Sequence, residues 1–473
     1  MNPEITGIFE QPTNQNTIKM KLLNIRQAGF LLTLMLLSFT SPVWAQETGQ
    51  MPDSLRLSLE EATEMALEQN LTIEQAGYDV DKTRAQFRQT NAIFLPSLSF
   101  EYNAVSTNDP LNVFGFKLKQ EIVTQQDFNP ALLNDPDVTQ NYSATFKIQQ
   151  PLLNPDMILQ RNAVKSQLNS AAEQLAGTVN QVKFRVRNQY YSLILHQRQL
   201  DVLNTALETA AEHRRQALNY FEEGLISKED YLASRVHELE MESQKLNAEN
   251  QLARVEEEMA ILLGMDGTVN ISPAEEMTQV PVSTVSESLI DAPVKNAQTR
   301  AIDYRVDAAK KMVKSANFSF LPKINLFGTY EYNDTDFAGF DASSYMIGAN
   351  LQWNIFSGFS KAGKVMEARA DYRKAQTMQE ANQLEQEKMA RQAFRSMEHA
   401  MQEIELAEES IARSEEDVKI RTNRFNEGMQ RTTDLLEAET KLAESRLRHI
   451  AALYSYNMSI ARLEMLLEKD ITN

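Results

Sequence analysis

Lys323 to Ile355 reads KINLFGTYEYNDTDFAGFDASSYMIGANLQWNI, and the alternation within it decides the fold. Ile324, Leu326, Gly328, Tyr330 and Tyr332 alternate with Lys323, Asn325, Phe327, Thr329 and Glu331. After a loop, Tyr345, Ile347, Ala349, Leu351 and Trp353 alternate with Met346, Gly348, Asn350 and Gln352. A period of two predicts a hairpin of two amphipathic strands. Each run is about ten residues, the length a tilted strand needs to cross a bilayer, with Tyr or Trp near the ends where headgroups lie. Tyr330, Tyr332, Tyr345 and Trp353 are therefore candidates for a membrane aromatic belt. From Phe359 onward proline is absent and the pattern turns helical, so this hairpin is set into long helices.

Working outward, Phe320-Leu321-Pro322 before this hairpin matches Phe94-Leu95-Pro96 upstream. There Leu98, Phe100 and Tyr102 alternate with Ser97, Ser99, Glu101 and Asn103, and Tyr142, Ala144, Phe146 and Ile148 alternate with Ser143, Thr145, Lys147 and Gln149. Membrane-type hairpins are thus expected at 95–150 and 321–356, with Tyr102 and Tyr142 joining the belt. Residues 104–140 hold Asp109-Pro110, Asn129-Pro130 and Asp135-Pro136 turn signals and an amphipathic run from Val113 to Val123, and read as a surface loop. Asp334, Asp336 and Asp341 in the second loop fit no EF-hand spacing and read as a polar turn.

Proline maps the helices. Of 14 prolines, none lies between Pro155 and Pro273 and none after Pro322. Ser58 and Glu61 form a capping-box pattern that opens a first helix expected to run to about Ala92. A rod follows Asn154-Pro155 to about Phe221, ~100 Å at 1.5 Å per residue. Gly224 breaks it, and Ser227 with Asp230 caps a return to about Leu263. Residues 264–295, with Pro273, Pro281 and Pro293, read as a linker, and a helix from about Asn296 to Asn317 leads to the second hairpin. A second rod spans about Lys361 to Asn426. Arg424-Phe425-Asn426-Glu427-Gly428 matches Tyr220 to Gly224 at a separation of 204 residues, and Asp434 sits where Asp230 sits. The chain reads as a duplication: a first repeat over 46–273 with its helical hairpin at 155–263, and a second over 296–473 with its helical hairpin at 359–469.

At the N-terminus, Lys19, Lys21 and Arg26 precede an apolar run from Gly29 to Phe39 and then Val43-Trp44-Ala45, which predicts an export signal over 1–45, with Met20 a candidate true start. The chain has no cysteine, which excludes a lipid-bearing Cys, disulfides and thiolate metal sites. A formal net charge of -18 argues against nucleic-acid binding. No Walker loop, Gly-x-Gly-x-x-Gly or His-Glu-x-x-His occurs, and the five histidines lack metal spacing, so neither an enzyme nor a cofactor or metal site is expected. Four membrane strands leave two edges open in hydrocarbon, whereas a barrel needs at least about eight strands. Self-assembly is required, as a dimer of eight strands or a trimer of twelve.

From residue 55 onward the chain resembles the TolC-like outer-membrane efflux proteins. The resemblance rests on Leu57-Ser58-Leu59-Glu60-Glu61-Ala62 through Asn70, both Leu-Pro strand starts, and the two turns with Gly224…Asp230 and Gly428…Asp434-Leu435-Leu436-Glu437-Ala438. It implies a mainly α fold with a membrane β-barrel: a homotrimer with a twelve-stranded barrel in the outer membrane of a Gram-negative cell and a periplasmic α-barrel of long helical hairpins. It further implies a passive exit duct for a tripartite pump, docked to a periplasmic membrane-fusion adaptor and an inner-membrane pump. Gly224, Leu225, Ile226, Ser227, Gly428, Met429, Gln430 and Arg431 match the periplasmic tips that meet the adaptor. Asp434 and Glu437 match acidic rings that narrow the tunnel, and Asp230 with Arg424 or Arg431 matches a latch, although Gln430 stands where the family's basic residue is expected. A type I protein secretion channel would use the same fold. A trimeric surface adhesin would also build a twelve-stranded barrel, but with its strands together at the C-terminus.

Overall fold

A computed structural model describes residues 54–267, 269–282 and 293–471. The export signal expected over 1–45 and part of the 264–295 linker lie outside the described residues. The chain opens with strand β1 (Ser54–Leu57) and helix α1 (Leu59–Gln69), whose N-terminus carries the full capping box: Glu61 N–H donates to Ser58 Oγ at 3.2 Å and Ser58 N–H to Glu61 Oε2 at 2.8 Å. The single helix expected to Ala92 is two. Asn70 has extended backbone and divides α1 from α2 (Leu71–Gln89), because its side chain caps α2 at Thr72 N–H and donates to Leu262 O, both long-range and local bonds that periodicity does not register.

Strand β2 (Ser97–Thr107) and strand β3 (Thr139–Leu153) flank an insert that is not an open loop. It folds as helix α3 (Pro110–Lys119), a 3-10 turn at Gln125–Phe128 and helix α4 (Pro130–Asn134). Asp109-Pro110 and Asn129-Pro130, which read as turns, are N-caps followed by proline in the first helical turn, a use the same dipeptides serve equally well. Then come the rod α5 (Pro155–Glu222), its return α6 (Lys228–Leu262), strand β4 (Asn270–Pro273), helix α7 (Ala297–Phe318), strands β5 (Lys323–Asp334) and β6 (Ala342–Gln352), the rod α8 (Ser360–Asn426) and its return α9 (Thr432–Leu467). At 68 and 67 residues the two rods are each ~100 Å long.

Strands β2-β3-β5-β6 form one antiparallel sheet in that order, leaving β2 and β6 each with a free edge. Register puts Phe100, Phe146, Tyr330 and Tyr345 in one row, and Leu98, Ile148, Gly328 and Ile347 in another. At Gly328 an added Cβ would lie 3.0 Å from Ile148 Cγ2, so the Ile148 side chain would have to give way. The opposite face carries Glu101, Thr145, Glu331 and Ser344 in register. One face is thus apolar and largely exposed, and the other polar. Among the described residues no helix is long and apolar enough to cross a membrane. Asp334 organises the β5–β6 turn by accepting from Asp336 N–H at 2.9 Å and Asp341 N–H at 3.2 Å.

Two cores lie at the level where β1 pairs in parallel with β4. One gathers Leu57, Ala66, Val186, Tyr190, Leu193, Met259, Leu263 and Ile271 from the first repeat. Tyr190 is fully buried and donates to Leu57 O at 3.1 Å, so it packs helix to strand. The other core packs Ala393, Ala400 and Ile404 of α8 against Tyr456, Ile460 and Leu463 of α9. The small residues allow rods to approach closely, and α7 lies along α5 through Ser170 Oγ to Ala301 O at 2.8 Å and Ser166 Oγ to Asp307 at 2.7 Å.

Candidate functional site

The two rods end alike. After α5, Leu225 N–H donates to Tyr220 O at 2.8 Å and Gly224 N–H to Phe221 O at 3.0 Å; after α8, Met429 N–H donates to Arg424 O at 2.8 Å and Gly428 N–H to Phe425 O at 2.9 Å. Both are Schellman motifs, and their glycines have φ of +75° and +71°. A side chain at either glycine would meet nothing within 4 Å, so glycine is held there by backbone conformation and not by crowding. Leu225 and Met429 project, each 67% exposed. The Tyr220 and Phe425 rings lie 6.0 Å apart, so the two turns sit side by side. Ile226 and Ser227 complete the first turn, where Ser227 Oγ accepts Asp230 N–H at 3.1 Å.

Asp230 is accordingly engaged by its own cap: Ser227 Oγ donates to its carboxylate at 2.7 Å, and among the described residues no ion pair joins it to Arg424 or Arg431. Arg431 holds the N-cap position of α9 through backbone conformation, without a side-chain cap. Gln430 Nε2 donates to Asp434 Oδ2 at 2.7 Å, and not to Asp230, the acidic residue of the expected latch. Arg421, which sequence reasoning missed, donates to Asp434 O at 2.9 Å and pairs with Asp417 at 3.0 Å. The hydrogen bond and charge of Asp417, with Asp434 and Glu437 beyond it, push the Arg421 guanidinium above its ordinary value. Glu437 therefore lies in the same charge field as Asp434, one helical turn away.

Farther from the turns, His213 of α5 and Glu439 of α9 form a bond of 2.5 Å that ties the two hairpins together. Burial disfavours the His213 cation, yet the hydrogen bond and charge of Glu439 outweigh it and hold His213 above its ordinary value. His237 of α6, beside the same pair, is pushed down by burial.

At the sheet, Tyr102 and Tyr142 pack on Phe337 at 5.8 Å each, and Tyr332 packs on Phe340 at 5.5 Å, gathering aromatics at the loop end. Tyr330 and Tyr345 sit in the row just below, opposite each other. Trp353 is at the helix end, where Nε1 donates to Phe320 O at 2.9 Å. Phe337 and Phe340 lie in the turn, outside any alternating pattern, and went unread.

The family model described as outer membrane efflux protein matches residues 62–265 and 291–468. The chain is 21% identical over 400 residues to Outer membrane protein TolC of Vibrio cholerae, covering 79% of this chain and 91% of that protein. Its fold is similar to the outer membrane protein VceC of Vibrio cholerae, with a TM-score of 0.73 at 17% identity over 87% of this chain and 96% of that one. It is also similar to the Campylobacter jejuni CmeC outer membrane channel, with a TM-score of 0.76 at 16% identity over 90% of each chain.

Proposed function

The chain belongs to the outer membrane efflux protein family, whose members are non-enzymatic outer-membrane channels, and from that premise we propose that three copies build one passive exit duct through the outer membrane and across the periplasm. The observation that carries this reading is the four-stranded sheet with an apolar exposed face and free edges at β2 and β6. Each unpaired backbone group at such an edge costs several kcal/mol in hydrocarbon, so the β6 edge of one copy must meet the β2 edge of the next. Three copies give twelve strands, and the Schellman turns at Gly224 and Gly428 fall at the far end of ~100 Å rods.

At that end, Asp434 and Glu437 repeat three times around the axis, repelling anions and admitting cations. The exposed Leu225 and Met429 and their neighbours Ile226, Ser227, Gln430 and Arg431 are the surface a periplasmic adaptor would grip, with an inner-membrane pump behind it. Opening is a shift of the α8–α9 hairpin relative to α5–α6, resisted by Tyr220–Phe425 and His213–Glu439. Two measurements test this. Native mass of the detergent-solubilised protein should give three copies; a stable monomer or dimer would refute the duct. A photo-reactive residue at Leu225 or Met429 should cross-link in cells to an adaptor subunit, and cross-linking from mid-rod His399 but not from the turns would refute the docking site.

A further inference from the structure

Helices α7 and α9 meet end to end between the two rods, where Ala297 N–H donates to Glu468 Oε1 at 2.7 Å and Asn296 Nδ2 to Leu466 O at 3.3 Å. At this junction α5, α7, α8 and α9 enclose a recess of about 670 Å³. The half-buried side chains of Phe184, Ile302 and Met389 line it, together with the exposed Arg185 and Arg305 and the half-buried Arg462. The Arg462 guanidinium carbon stands 5.4 Å from the centre of the Phe184 ring, and its Nη2 lies 3.5 Å from the Met389 sulfur. Among the described residues none of these three guanidiniums has a carboxylate partner. Glu468, the one acidic residue lining the recess, is already engaged by Ala297 N–H, by Asn180 Nδ2 at 3.0 Å and by Arg300 at 2.8 Å.

The recess opens on the face of the wall away from the linker. On α9 the linker is held by Tyr456 Oη to Val280 O at 3.2 Å and Asn457 Nδ2 to Thr278 O at 2.9 Å, with Ile460 buried in the same core. Arg462 is two residues past Ile460, ~200° around the helix. On α7, Arg300 reaches Lys295 O of the linker at 3.3 Å, and Ile302 is again ~200° away. The linker thus adds a second layer to one face of the helical wall. Three such layers inside a duct would fill it, so they lie outside and the arginine-bearing face lines the bore.

Resting on the proposed duct, we propose that this recess is a transit site for organic anions with an apolar body, of the class of aromatic sulfonates and carboxylates. The apolar body lies against Phe184, Ile302 and Met389, and the anionic group is held by Arg462 with Arg305 and Arg185. Its volume is that of a small-molecule site, and Arg462, already stacked on a ring, offers its donors to an anion with little further ordering. In a chain of formal net charge -18, guanidiniums free of acids at one level of the bore favour anions that the rest of the wall repels. The acidic turns do not oppose this once the tip is open, because charges more than ~8 Å away are largely screened at physiological salt.

Naphthalene-1-sulfonate is the probe and naphthalene-1-methanol its uncharged counterpart. In equilibrium dialysis against trimers in an uncharged detergent, corrected for uptake by protein-free micelles, the sulfonate should bind the parent and bind Arg305→Gln/Arg462→Gln on the order of tenfold more weakly. Arg185→Gln/Arg305→Gln changes only exposed residues and should weaken binding in the same direction, whatever Arg462 contributes to packing. In planar bilayers the sulfonate, added on the barrel side, reaches the recess without crossing the acidic turns. It should reduce the parent current at about tenfold lower concentration than it does either variant's, and the alcohol should leave all three currents unchanged. Equal binding by the parent and both variants, or equal block by the alcohol, would overturn the arginine site. Binding that leaves the current of conducting trimers unchanged would overturn the transit role. Trimers that do not conduct at all would overturn the duct, with the dialysis still deciding whether the recess binds the anion.

Discussion

Replacing Gly264 by alanine should destabilise the chain more than the same change at Gly224, although both glycines end a helix with positive φ. Gly264, at φ +78°, closes α6 with the same pair of bonds, Met265 N–H to Ala260 O at 2.9 Å and Gly264 N–H to Ile261 O at 3.1 Å. The left-handed backbone costs an alanine ~1–2 kcal/mol at either site. At Gly264, however, the added Cβ would lie 2.6 Å from Gln69 O and 3.0 Å from Gln69 Cβ, at the joint where Asn70 grips Leu262. Those atoms are the last turn of α1 and cannot swing aside, so a packing penalty of ~1–3 kcal/mol is added. At Gly224 nothing lies within 4 Å and no such penalty arises. At ~2–4 °C per kcal/mol the two variants should separate by at least about 2 °C in Tm, read by circular dichroism on the detergent-solubilised protein. Equal shifts, or a larger one at Gly224, would refute the claim that the α1–α6 joint sets this glycine.

Asn70→Ala removes the cap of α2 and strands Leu262 O, so it should cost ~1–3 kcal/mol in the same assay; a Tm within error of the parent would contradict that double role. His213 governs pH dependence. Its folded-state value is raised, so its contribution is complete below the unfolded value of about 6.5 and is lost as pH rises through the folded one. Facing groups are Glu212 on α5, His237 on α6 and Glu439 on α9; Glu240 of α6 acts on His237, which burial holds below its ordinary value. The parent Tm should therefore fall as pH rises above about 6.5, and His213→Gln should flatten the slope; an unchanged slope would show that another group titrates.

Long-period features of the fold were legible because they follow from single residues. Proline-free stretches allowed both rods, Gly224 and Gly428 ended them, and strict alternation from Ile324 to Tyr332 gave the faces of the sheet. What was not legible depends on partners far away in sequence. Asn70 breaks a helix because Leu262 O awaits its amide across 192 residues. Arg421 reaches Asp434 only because the hairpin folds back, and no motif joins them. The insert read as a loop because Asp-Pro and Asn-Pro serve turns and helix starts alike, and its seat on Glu331, Asn141 and Asn333 joins residues of different strands that no local pattern connects.

If acidic rings close the duct at its periplasmic end, single-channel recording in planar bilayers will separate the parent protein from Asp434→Ala/Glu437→Ala. The parent should show small, cation-selective conductance, and the variant should conduct more and lose selectivity. Intact trimers that do not conduct in either form, or a variant whose selectivity matches the parent, would contradict it.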